Sequence, residues 1–386
     1  MRVLVSGGGT AGHIYPALAV ARLVAAGVGD TVAFVGAPDS LEMRLATEAG
    51  LRFVPVRAQG WDRARPLTFL TGVFTTIASV ARCMALLRRE RTDVVCGFGG
   101  FVSLPLGLAA VLRRVPLVIH EQNAIPGLTN RVLARWATAV CLTYPDSGAH
   151  LGGRVRSAVT GNPVRSSVLA ADRGAGRDSF GVGEYDTLLL VFGGSRGARH
   201  LNAALVDLYP RLRDTDGVRV VQIAGPTEAG SVRDSLALAA GGTLPPWWSV
   251  REYVDGMGDL IAAADLVVCR AGATTLAELS VLGKAMVLVP YPYATDDHQT
   301  HNAEPFLRVG GAEVVADSRL DEPAFGEAVL GLLLDPERRM RMAAMSATLG
   351  RPHAAEAVVD AVRAAAGERT ASPAPRIDTQ DREGGS

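Results

Sequence analysis

The sequence of 386 residues predicts an α/β protein built from two doubly wound, Rossmann-like domains with parallel sheets. The chain opens with a short apolar strand at Arg2–Ser6, a glycine loop at 7–13 and a helix from Pro16. The same pattern returns with a strand at 188–192 and a glycine loop at 193–198. A strand, a glycine turn and a helix are typical of the first unit of such a domain. We therefore expect two such domains, facing each other across a ligand cleft at the carboxyl ends of their strands.

Further short apolar runs continue this alternation of strands and helices. In the first half, strands are expected at 31–36, 93–97, 116–119, 138–142 and 155–160. In the second half, strands are expected at 219–223, 248–251, 266–269, 285–289 and 312–315. Turn residues cluster near 161–163 and indicate the domain boundary. The expected organisation is a domain over 1–162, a domain over 163–344, a C-terminal helix over 345–366 that packs back on the first domain, and a disordered tail over 367–386.

Composition excludes several classes of protein. Apolar residues make up 48% of the chain and charged residues 20%, which is typical of a globular protein and not of a disordered one. Lys+Arg and Asp+Glu both number 39, so no basic field favours nucleic acid as a partner. Four separate cysteines indicate a reducing compartment, without a zinc cluster or a disulfide framework. Because no charged and apolar leader precedes the first strand, we expect a cytoplasmic protein.

The segment 67–87 is the one candidate for a membrane span. Its Arg82 and the three- and four-residue spacing of its apolar side chains predict an amphipathic helix over 67–91 instead. The expected buried stripe consists of Leu67, Leu70, Phe74, Ile77, Ala81, Met84 and Leu87.

The loop at 7–13 is the first candidate site. Its glycines let backbone N–H groups approach a phosphate, and the next helix presents its positive end there. Gly7, Gly9 and Gly12 also fit a dinucleotide-binding pattern, but no acidic residue closes the second strand. His13 is either a cap of the helix or a general base that faces the cleft, because imidazole titrates near neutral pH.

A second glycine turn follows the strand at 266–269. Gly272 makes the turn, and residues 273–275 open a helix whose N–H groups and hydroxyls suit an anion. Glu278 lies one turn later. It is either an ordinary first-turn acid or an acceptor of hydrogen bonds from two ribose hydroxyls.

Polar segments follow other strands. Residues 291–302 are dense in groups that can bind sugar hydroxyls, and residues 214–216 have an Asp-x-Asp pattern that indicates a turn. In the first half, residues 120–123 and the glycine loop at 97–103 end two strands, so this half is expected to bind a phosphorylated acceptor. Possible metal ligands, with a spacing that fits no recognised set, are Asp296, Asp297, His298 and His301.

Eight motifs stand in order along the chain: Gly-Gly-Thr-Ala-Gly-His (8–13), Gly-Gly-Phe-Val-Ser (99–103), His-Glu-Gln-Asn (120–123), Gly-Leu-Thr-Asn (127–130), Gly-Asn-Pro-Val-Arg (161–165), Gly-Gly-Ser-Arg-Gly-Ala (193–198), Arg-Ala-Gly-Ala-Thr-Thr-Leu-Ala-Glu (270–278) and Asp-His-Gln-Thr-His-Asn-Ala (297–303). Together they resemble the MurG family of GT-B glycosyltransferases, family 28. Members of that family transfer N-acetylglucosamine from UDP-GlcNAc to lipid I in peptidoglycan synthesis, and so serve cell shape and division.

The resemblance implies an enzyme without metal or cofactor whose second domain holds UDP-GlcNAc. The implied donor contacts are Ser195, Ala273, Thr274 and Thr275 at the diphosphate, Glu278 at the ribose, the backbone of Val254 at the uracil, Gln299 at the GlcNAc hydroxyls, and Arg165. The implied contacts of the first domain are Thr10, Ala11, Gly12 and Asn123 at the sugar, and Gly99, Gly100 and Glu121 on the acceptor side. His13, or a residue near it, would deprotonate the attacking hydroxyl.

Two positions depart from the family pattern. The family's first loop usually reads Thr-Gly-Gly-His, and here Ala11 replaces the first of those glycines. If this position requires a positive φ, alanine is strained by about 1 kcal/mol or more. His298 stands where a second Gln precedes Gln299 in the family.

Lipid I is anchored in the inner leaflet, so the resemblance implies a peripheral protein on the cytoplasmic face of the cell membrane. Membership of a cell-wall synthesis complex is a further expectation. The expected membrane contact consists of Trp61, Arg63 and Arg65, followed on the 67–91 helix by Phe69, Arg82, Leu86, Arg88 and Arg89.

Three other functions remain open from the sequence. A related UDP-GlcNAc 2-epimerase would bind the same donor but release free sugar. A nicotinamide oxidoreductase is favoured only by the first glycine loop. A non-catalytic nucleotide-sugar-binding subunit would tolerate the loss of His13.

Overall fold

The computed structural model describes residues 1–57, 68–152, 155–194 and 198–367. The chain divides into two compact units. Unit 1 comprises Met1–Val164 and the segment from Arg351 onward, and unit 2 comprises Arg165–Gly350. Each unit contains one sheet in which every strand pair is parallel. The predicted fold class, two Rossmann-like domains with parallel sheets, is confirmed.

Unit 1 is built on a seven-stranded sheet of order β3-β2-β1-β4-β5-β6-β7. Its strands are β1 (Arg2–Ser6), β2 (Thr31–Gly36), β3 (Arg52–Pro55), β4 (Val94–Gly97), β5 (Leu117–Glu121), β6 (Ala139–Leu142) and β7 (Ser157–Val159). Its first helices are α1 (Ala11–Ala25), α2 (Leu41–Glu48), α3 (Thr68–Arg89), α4 (Ser103–Leu112) and α5 (Leu128–Leu133).

The core of unit 1 lies on both faces of this sheet. Along β1, Val3 and Val5 join one apolar cluster and Leu4 joins the other, because successive side chains of a strand point to opposite faces. A sheet covered on both faces needs apolar residues at nearly every position, which explains the continuous apolar runs in the sequence.

Unit 2 is built on a six-stranded sheet of order β10-β9-β8-β11-β12-β13. Its strands are β8 (Thr187–Phe192), β9 (Val218–Ile223), β10 (Trp248–Arg251), β11 (Leu266–Cys269), β12 (Ala285–Leu288) and β13 (Glu313–Val314). Its helices are α6 (Ser166–Leu169), α7 (Arg173–Ser179), α8 (Arg199–Asp207), α9 (Tyr209–Arg213), α10 (Ala229–Ala239), α11 (Met257–Ala263), α12 (Ala273–Val281), α13 (His298–Val309), α14 (Pro323–Leu333) and α15 (Pro336–Ala347). Residues 214–216 form the turn predicted between α9 and β9.

The last described helix, α16 (Ala354–Ala365), packs against α1 within unit 1. Val358, Val359 and Val362 are buried in the same apolar cluster as β1. The single helix expected over 345–366 is wrong, since α15 ends at Ala347 and α16 begins at Ala354. Gly350 and Pro352 lie between the two helices and both oppose a continuous helix. The predicted tail lies outside the described residues from 368 onward.

Two strand predictions need correction. Strand β3 was not predicted, because only Val54 is buried in this short element at the edge of the sheet. Strand β5 continues two residues further than expected, since His120 and Glu121 stay in register with Cys141 and Leu142 of β6. His120 and Glu121 therefore belong to the strand and not to the loop after it.

The buried face of α3 differs from the predicted stripe. Ser79, Cys83, Leu86 and Leu87 are buried, whereas Ile77 is 61% exposed. The placement of Ile77 in the core and of Leu86 on the outer face is wrong. Ser79 Oγ donates to the carbonyl oxygens of Arg57 and Thr75, at 2.5 and 2.7 Å, which brings this neighbouring face of the helix inward.

Other predictions for this segment lie outside what is described. They concern Trp61, Arg63 and Arg65, and the side chains of Leu67, Phe69, Leu70 and Phe74. None of the helices in the described part of the chain has both the length and the apolar character needed to cross a bilayer.

Candidate active site

His13 lies in the first turn of α1, directly after the glycine loop that follows β1. His13 Nδ1 lies 3.1 Å from the carbonyl oxygen of Gly8 and 3.3 Å from Thr10 Oγ1. A carbonyl oxygen can only accept, so Nδ1 carries a proton, and the tautomer that this hydrogen bond favours has its lone pair on Nε2. Within the described ranges, Nε2 makes no hydrogen bond to the protein. The imidazole is therefore prepared to accept a proton at Nε2.

The second glycine loop, 97–103, packs directly against this histidine. A Cβ placed on Gly99 would lie 3.3 Å from His13 Nε2, so the backbone of Gly99 supports the ring. Ser103 Oγ donates to the Gly99 carbonyl oxygen at 2.6 Å and lies 3.0 Å from Ser6 Oγ. The loops after β1 and β4 are therefore held together beside the imidazole.

Gly100 allows the closest approach between the two loops. Its φ is +81°, and a Cβ there would lie only 2.3 Å from the carbonyl oxygen of Gly8. The same Gly8 oxygen accepts the hydrogen bond from His13. Any side chain at position 100 would therefore displace the group that fixes the tautomer of His13.

We expect the substitution Gly100→Ala to lower the free energy of unfolding by at least about 3 kcal/mol, since left-handed strain adds to a backbone clash. The matched control is Gly50→Ala, where φ is +70° but no atom lies within 4 Å of the added Cβ. The control should cost about 1 kcal/mol, from strain alone. Urea unfolding of both variants measures the difference, and equal losses would contradict the close contact.

Ala11 does not carry the strain that the sequence comparison suggested. It is the first residue of α1, and Thr10 before it is the extended N-cap residue with φ −143°. The described non-glycine residues with positive φ are Asp39, Arg91, Arg114, Asp296 and Asp297. Position 11 therefore does not require a positive φ, and a first-turn helical position suits alanine.

Glu121 organises the loop that presents Asn123. The carboxylate is 1% exposed, and its Oε1 accepts from the backbone N–H and Nδ2 of Asn123, at 2.9 and 3.2 Å. Its Oε2 accepts from the N–H of Gly127 and from Nδ2 of Asn130, at 3.0 and 2.8 Å. Four donors thus surround one buried carboxylate. The geometry gives Glu121 a positioning role, and its contact with an acceptor stays a prediction.

His120 lies fully buried beneath the same loop. Its Nε2 donates to the Gly161 carbonyl oxygen at 2.8 Å, and its Nδ1 accepts from Gln122 Nε2 at 3.1 Å. The ring stacks on Phe98, with 5.3 Å between the ring centroids. Burial lowers the pKa of His120 from 6.5 to about 4, against the opposing effect of the Gly161 hydrogen bond.

This buried imidazole predicts a pH dependence of stability. Between pH 6.5 and about 4, the unfolded chain binds a proton at His120 that the folded chain does not. The free energy of unfolding therefore falls as the pH drops through this window, by about 3 kcal/mol from this residue. Urea unfolding of wild type and His120→Gln at pH 7 and pH 4.5 measures the effect.

The His120→Gln variant should lose less stability on acidification than wild type. The exposed His353, replaced in a control His353→Gln, should leave the wild-type dependence unchanged. An equal acid-induced loss in His120→Gln and wild type would contradict the burial of a neutral His120.

In unit 2, the helix α12 begins at the carboxyl end of β11. Gly272 is its N-cap residue and has no side chain that could cover the helix terminus. Residues 273–275 therefore form the kind of N-terminus that binds anions through backbone N–H groups. The corresponding loop before α8 contains Ser195, which lies outside the described residues. The contact of Ser195 with the diphosphate therefore stays a prediction.

The structure brings Arg165 and Glu278 together. Arg165 Nε and Nη2 donate to the two carboxylate oxygens of Glu278 at 2.6 and 2.9 Å. The Glu278 side chain is 5% exposed and the Arg165 side chain 28%. This bidentate pair fixes the guanidinium of Arg165 beside α12. The sequence had predicted both residues for the donor site but not their pairing.

Gln299 lies in the first turn of α13. Its Oε1 accepts from the N–H of Tyr291 at 2.9 Å, which leaves the amide nitrogen as a donor. Asp296 and Asp297 before it have φ +49° and +51°, two left-handed residues in sequence. Such strain is often stored at binding sites.

Val254 lies half-buried between β10 and α11, after the carboxyl end of β10. The contact between the backbone of Val254 and the uracil base stays a prediction. No group of three or more His, Cys, Asp or Glu suited to a metal ion occurs within the described ranges, the segment 296–301 included.

Two family models match the chain. The glycosyltransferase family 28 N-terminal domain matches residues 3–142, and the glycosyltransferase family 28 C-terminal domain matches residues 188–358. A relative from Desulforudis audaxviator is 39% identical, over 96% of this chain and 100% of its own length. The chain belongs to glycosyltransferase family 28.

Two relatives of this family 28 enzyme carry the same name. The Desulforudis protein, and a protein from Chlorobaculum tepidum that is 40% identical over 94% of this chain and 98% of its own length, are each called UDP-N-acetylglucosamine–N-acetylmuramyl-(pentapeptide) pyrophosphoryl-undecaprenol N-acetylglucosamine transferase. The crystal structure of MurG from Acinetobacter baumannii is 29% identical with a TM-score of 0.76, and the match covers 94% of this chain and 99% of that one.

More distant structures share the fold. A UDP-GlcNAc 2-epimerase from Neisseria meningitidis has a TM-score of 0.67 at 14% identity, over 93% of this chain and 99% of that one. At this identity the likeness concerns the fold alone. Membership of family 28 confirms the prediction of a glycosyltransferase and leaves no support for a nicotinamide oxidoreductase.

Proposed function

We propose that this family 28 enzyme transfers N-acetylglucosamine from UDP-GlcNAc to the 4-hydroxyl of MurNAc in undecaprenyl-diphospho-MurNAc-pentapeptide, lipid I. The product is lipid II, used in peptidoglycan synthesis. The observation that carries the proposal is the full-length similarity to transferases whose names state this donor and this acceptor. The arrangement of residues within each unit supports the assignment of roles.

The donor is assigned to unit 2. The start of α12, with Ala273, Thr274 and Thr275, meets the diphosphate together with Ser195. Arg165, held by Glu278, adds a guanidinium to the same anion.

The remaining donor contacts belong to the nucleoside and the sugar. Each Glu278 oxygen that accepts from Arg165 keeps a second lone pair, which can accept from the ribose hydroxyls. The backbone at Val254 meets the uracil. The amide nitrogen of Gln299 donates to the GlcNAc hydroxyls, since its oxygen is already engaged with Tyr291.

The acceptor is assigned to unit 1. His13 Nε2 removes the proton of the MurNAc 4-hydroxyl while that oxygen attacks the anomeric carbon, and the bond to the UDP oxygen breaks. Attack opposite the leaving group inverts the centre and gives a β linkage. Backbone N–H groups and hydroxyls stabilise the charge that develops on UDP, without a metal ion. Gly99, Gly100 and Glu121 shape the acceptor side, and Thr10, Ala11, Gly12 and Asn123 contact the sugar.

Transfer of radiolabelled GlcNAc from UDP-GlcNAc to a lipid I analogue tests this proposal, with one arm in EDTA. The expected result is a labelled disaccharide lipid with a β linkage, formed at the same rate with and without EDTA. Release of free labelled sugar without transfer would favour an epimerase, and donor binding without either product would favour a non-catalytic subunit. Inhibition by EDTA that magnesium reverses would contradict the metal-independent step.

We place the enzyme on the cytoplasmic face of the cell membrane, as a peripheral protein within a cell-wall synthesis complex. The exposed surface of α3 supports this placement, since Arg82, Arg88 and Ile77 are all exposed there. Arg89 already pairs with Glu90 at 3.0 Å, so Arg82 and Arg88 supply most of the attraction. Each arginine near an anionic surface contributes about 1 kcal/mol.

The double reversal Arg82→Glu/Arg88→Glu is expected to weaken binding to anionic vesicles by at least roughly thirtyfold, from about 2 kcal/mol of lost attraction. The double reversal Arg213→Glu/Arg341→Glu changes the net charge equally at exposed positions of unit 2 and should bind as wild type does. Flotation with vesicles of phosphatidylglycerol measures both. Equal loss in the two variants would reject the face of α3 as the contact.

A further inference from the structure

A charged network outside the proposed substrate contacts centres on His200 in unit 2. His200 Nδ1 lies 2.9 Å from Asp317 Oδ2, and Nε2 lies 3.1 Å from Asp321 Oδ1. Ionised carboxylates only accept hydrogen bonds, so both ring nitrogens donate and His200 is an imidazolium. The hydrogen bond that His200 donates to Asp317 is the largest cause that raises the pKa of His200 above its ordinary value.

The other end of the network is Arg270. Its Nη1 lies 2.6 Å from Asp317 Oδ1, and the side chain is 8% exposed. The same nitrogen donates to the carbonyl oxygens of Val289 and Pro290, at 3.2 and 3.3 Å. The guanidinium carbon lies 5.6 Å from the centroid of the Tyr291 ring. The buried guanidinium of Arg270 therefore fixes the backbone that directly follows β12.

The network reaches three segments assigned to the donor. His200 is the second residue of α8, directly after the glycine loop at 193–198. Arg270 stands at the start of the turn that leads into α12. The N–H of Tyr291 holds Gln299, as described above. A single chain of contacts thus runs from the start of α8 to the turn before α12 and to the backbone that holds Gln299.

We propose that His200, Asp317 and Arg270 are positioning residues for the nucleotide-sugar donor, and that the affinity for the donor falls when His200 loses its proton. A neutral imidazole has one N–H, so it can no longer donate to both Asp317 and Asp321. Whichever carboxylate keeps the remaining N–H, its hydrogen bond is no longer charge-assisted, so the link from α8 through Asp317 to Arg270 weakens. The inference rests on the proposed function, because it concerns the same donor site.

Other charges near this imidazole do not replace it. Arg199, the preceding residue, pairs with Glu228 at 3.2 Å, and Arg270 faces Asp317 from the opposite side. Asp317 therefore takes its second charged contact from His200, and Asp321 pairs with His200. Because a raised pKa favours the charged form, the arrangement is intact below the pKa of His200 in the folded chain and is lost as the pH rises through it.

The test measures KM for UDP-GlcNAc and for the lipid I analogue between pH 6 and pH 9. In wild type, KM for the donor should rise at alkaline pH while KM for the acceptor stays constant. His200→Asn and Asp317→Asn should each raise KM for the donor about fivefold to tenfold at pH 7, and the double variant should add little more. His353→Asn is the control, since His353 is an exposed histidine of unit 1 near a single carboxylate.

The variant His200→Arg keeps a permanent cation and should show no alkaline rise. An alkaline rise that persists in His200→Asn, or a KM for the donor within twofold of wild type in that variant, would overturn the inference. Calorimetry of UDP binding over the same pH range separates the two proposals. If UDP-GlcNAc is not used at all, the proposed function fails, whereas pH-dependent UDP binding that vanishes in His200→Asn still supports the positioning role.

Discussion

Replacement of His13 by alanine is expected to lower kcat by about 10²–10⁴-fold, the usual contribution of a general base. The affinity for UDP should stay within twofold of wild type, because the residues assigned to UDP belong to unit 2. The measurements are the initial rate of GlcNAc transfer at saturating substrates and calorimetry with UDP.

A second variant separates proton transfer from structure. The amide of His13→Gln can still donate to the carbonyl oxygen of Gly8, which His13 Nδ1 contacts at 3.1 Å, but it cannot accept a proton. It should therefore lose turnover as severely as His13→Ala does. If His13→Gln retains more than a third of the wild-type turnover, the histidine supports the loop at Gly8 and does not act as the base.

The second large effect is expected for Glu278→Gln. The substitution removes the counter-charge of Arg165, whose side chain is 28% exposed, so we expect a loss of about 2–3 kcal/mol in the free energy of unfolding. The affinity for UDP should fall at least tenfold, because the ribose loses its anionic acceptor and the guanidinium loses its fixed position. Urea unfolding and calorimetry with UDP measure the two quantities.

Two control variants separate the effect of an unpaired Arg165 from the effect of losing any ion pair. Arg165→Gln/Glu278→Gln removes both charges and should recover part of the stability without recovering the affinity for UDP. Glu337→Gln breaks the exposed pair with Arg341 and should change the free energy of unfolding by less than about 0.5 kcal/mol. Unchanged affinity for UDP in Glu278→Gln would remove the Arg165–Glu278 pair from the donor site.

The fold could be predicted wherever a strand is buried on both faces. Strand β11 has the predicted bounds, because its four residues are all buried and an apolar run enclosed by helices can end only where polar residues begin. Strand β3 gave no such signal, since only one of its residues is buried. The orientation of α3 also escaped prediction, because a hydroxyl, Ser79, lies on its buried face.

The sequence allowed the segments of the candidate site to be predicted, but not the contacts between their side chains. The glycine loops and the start of α12 follow from local sequence, since only certain residues allow such turns. Arg165 and Glu278 are 113 residues apart, and His200 and Asp317 are 117 apart, so no local pattern links them. The four hydrogen bonds to Glu121 likewise depend on the loop being folded around it.

The proposed function depends above all on the binding of a uridine diphosphate sugar by unit 2, with the diphosphate at the start of α12. A crystal structure of the enzyme soaked with UDP-GlcNAc tests it most directly. We predict that the diphosphate lies against residues 273–275, with the ribose at Glu278 and the sugar within hydrogen-bond distance of Gln299. Ordered nucleotide that occupies any other part of the molecule, with these residues untouched, would contradict it.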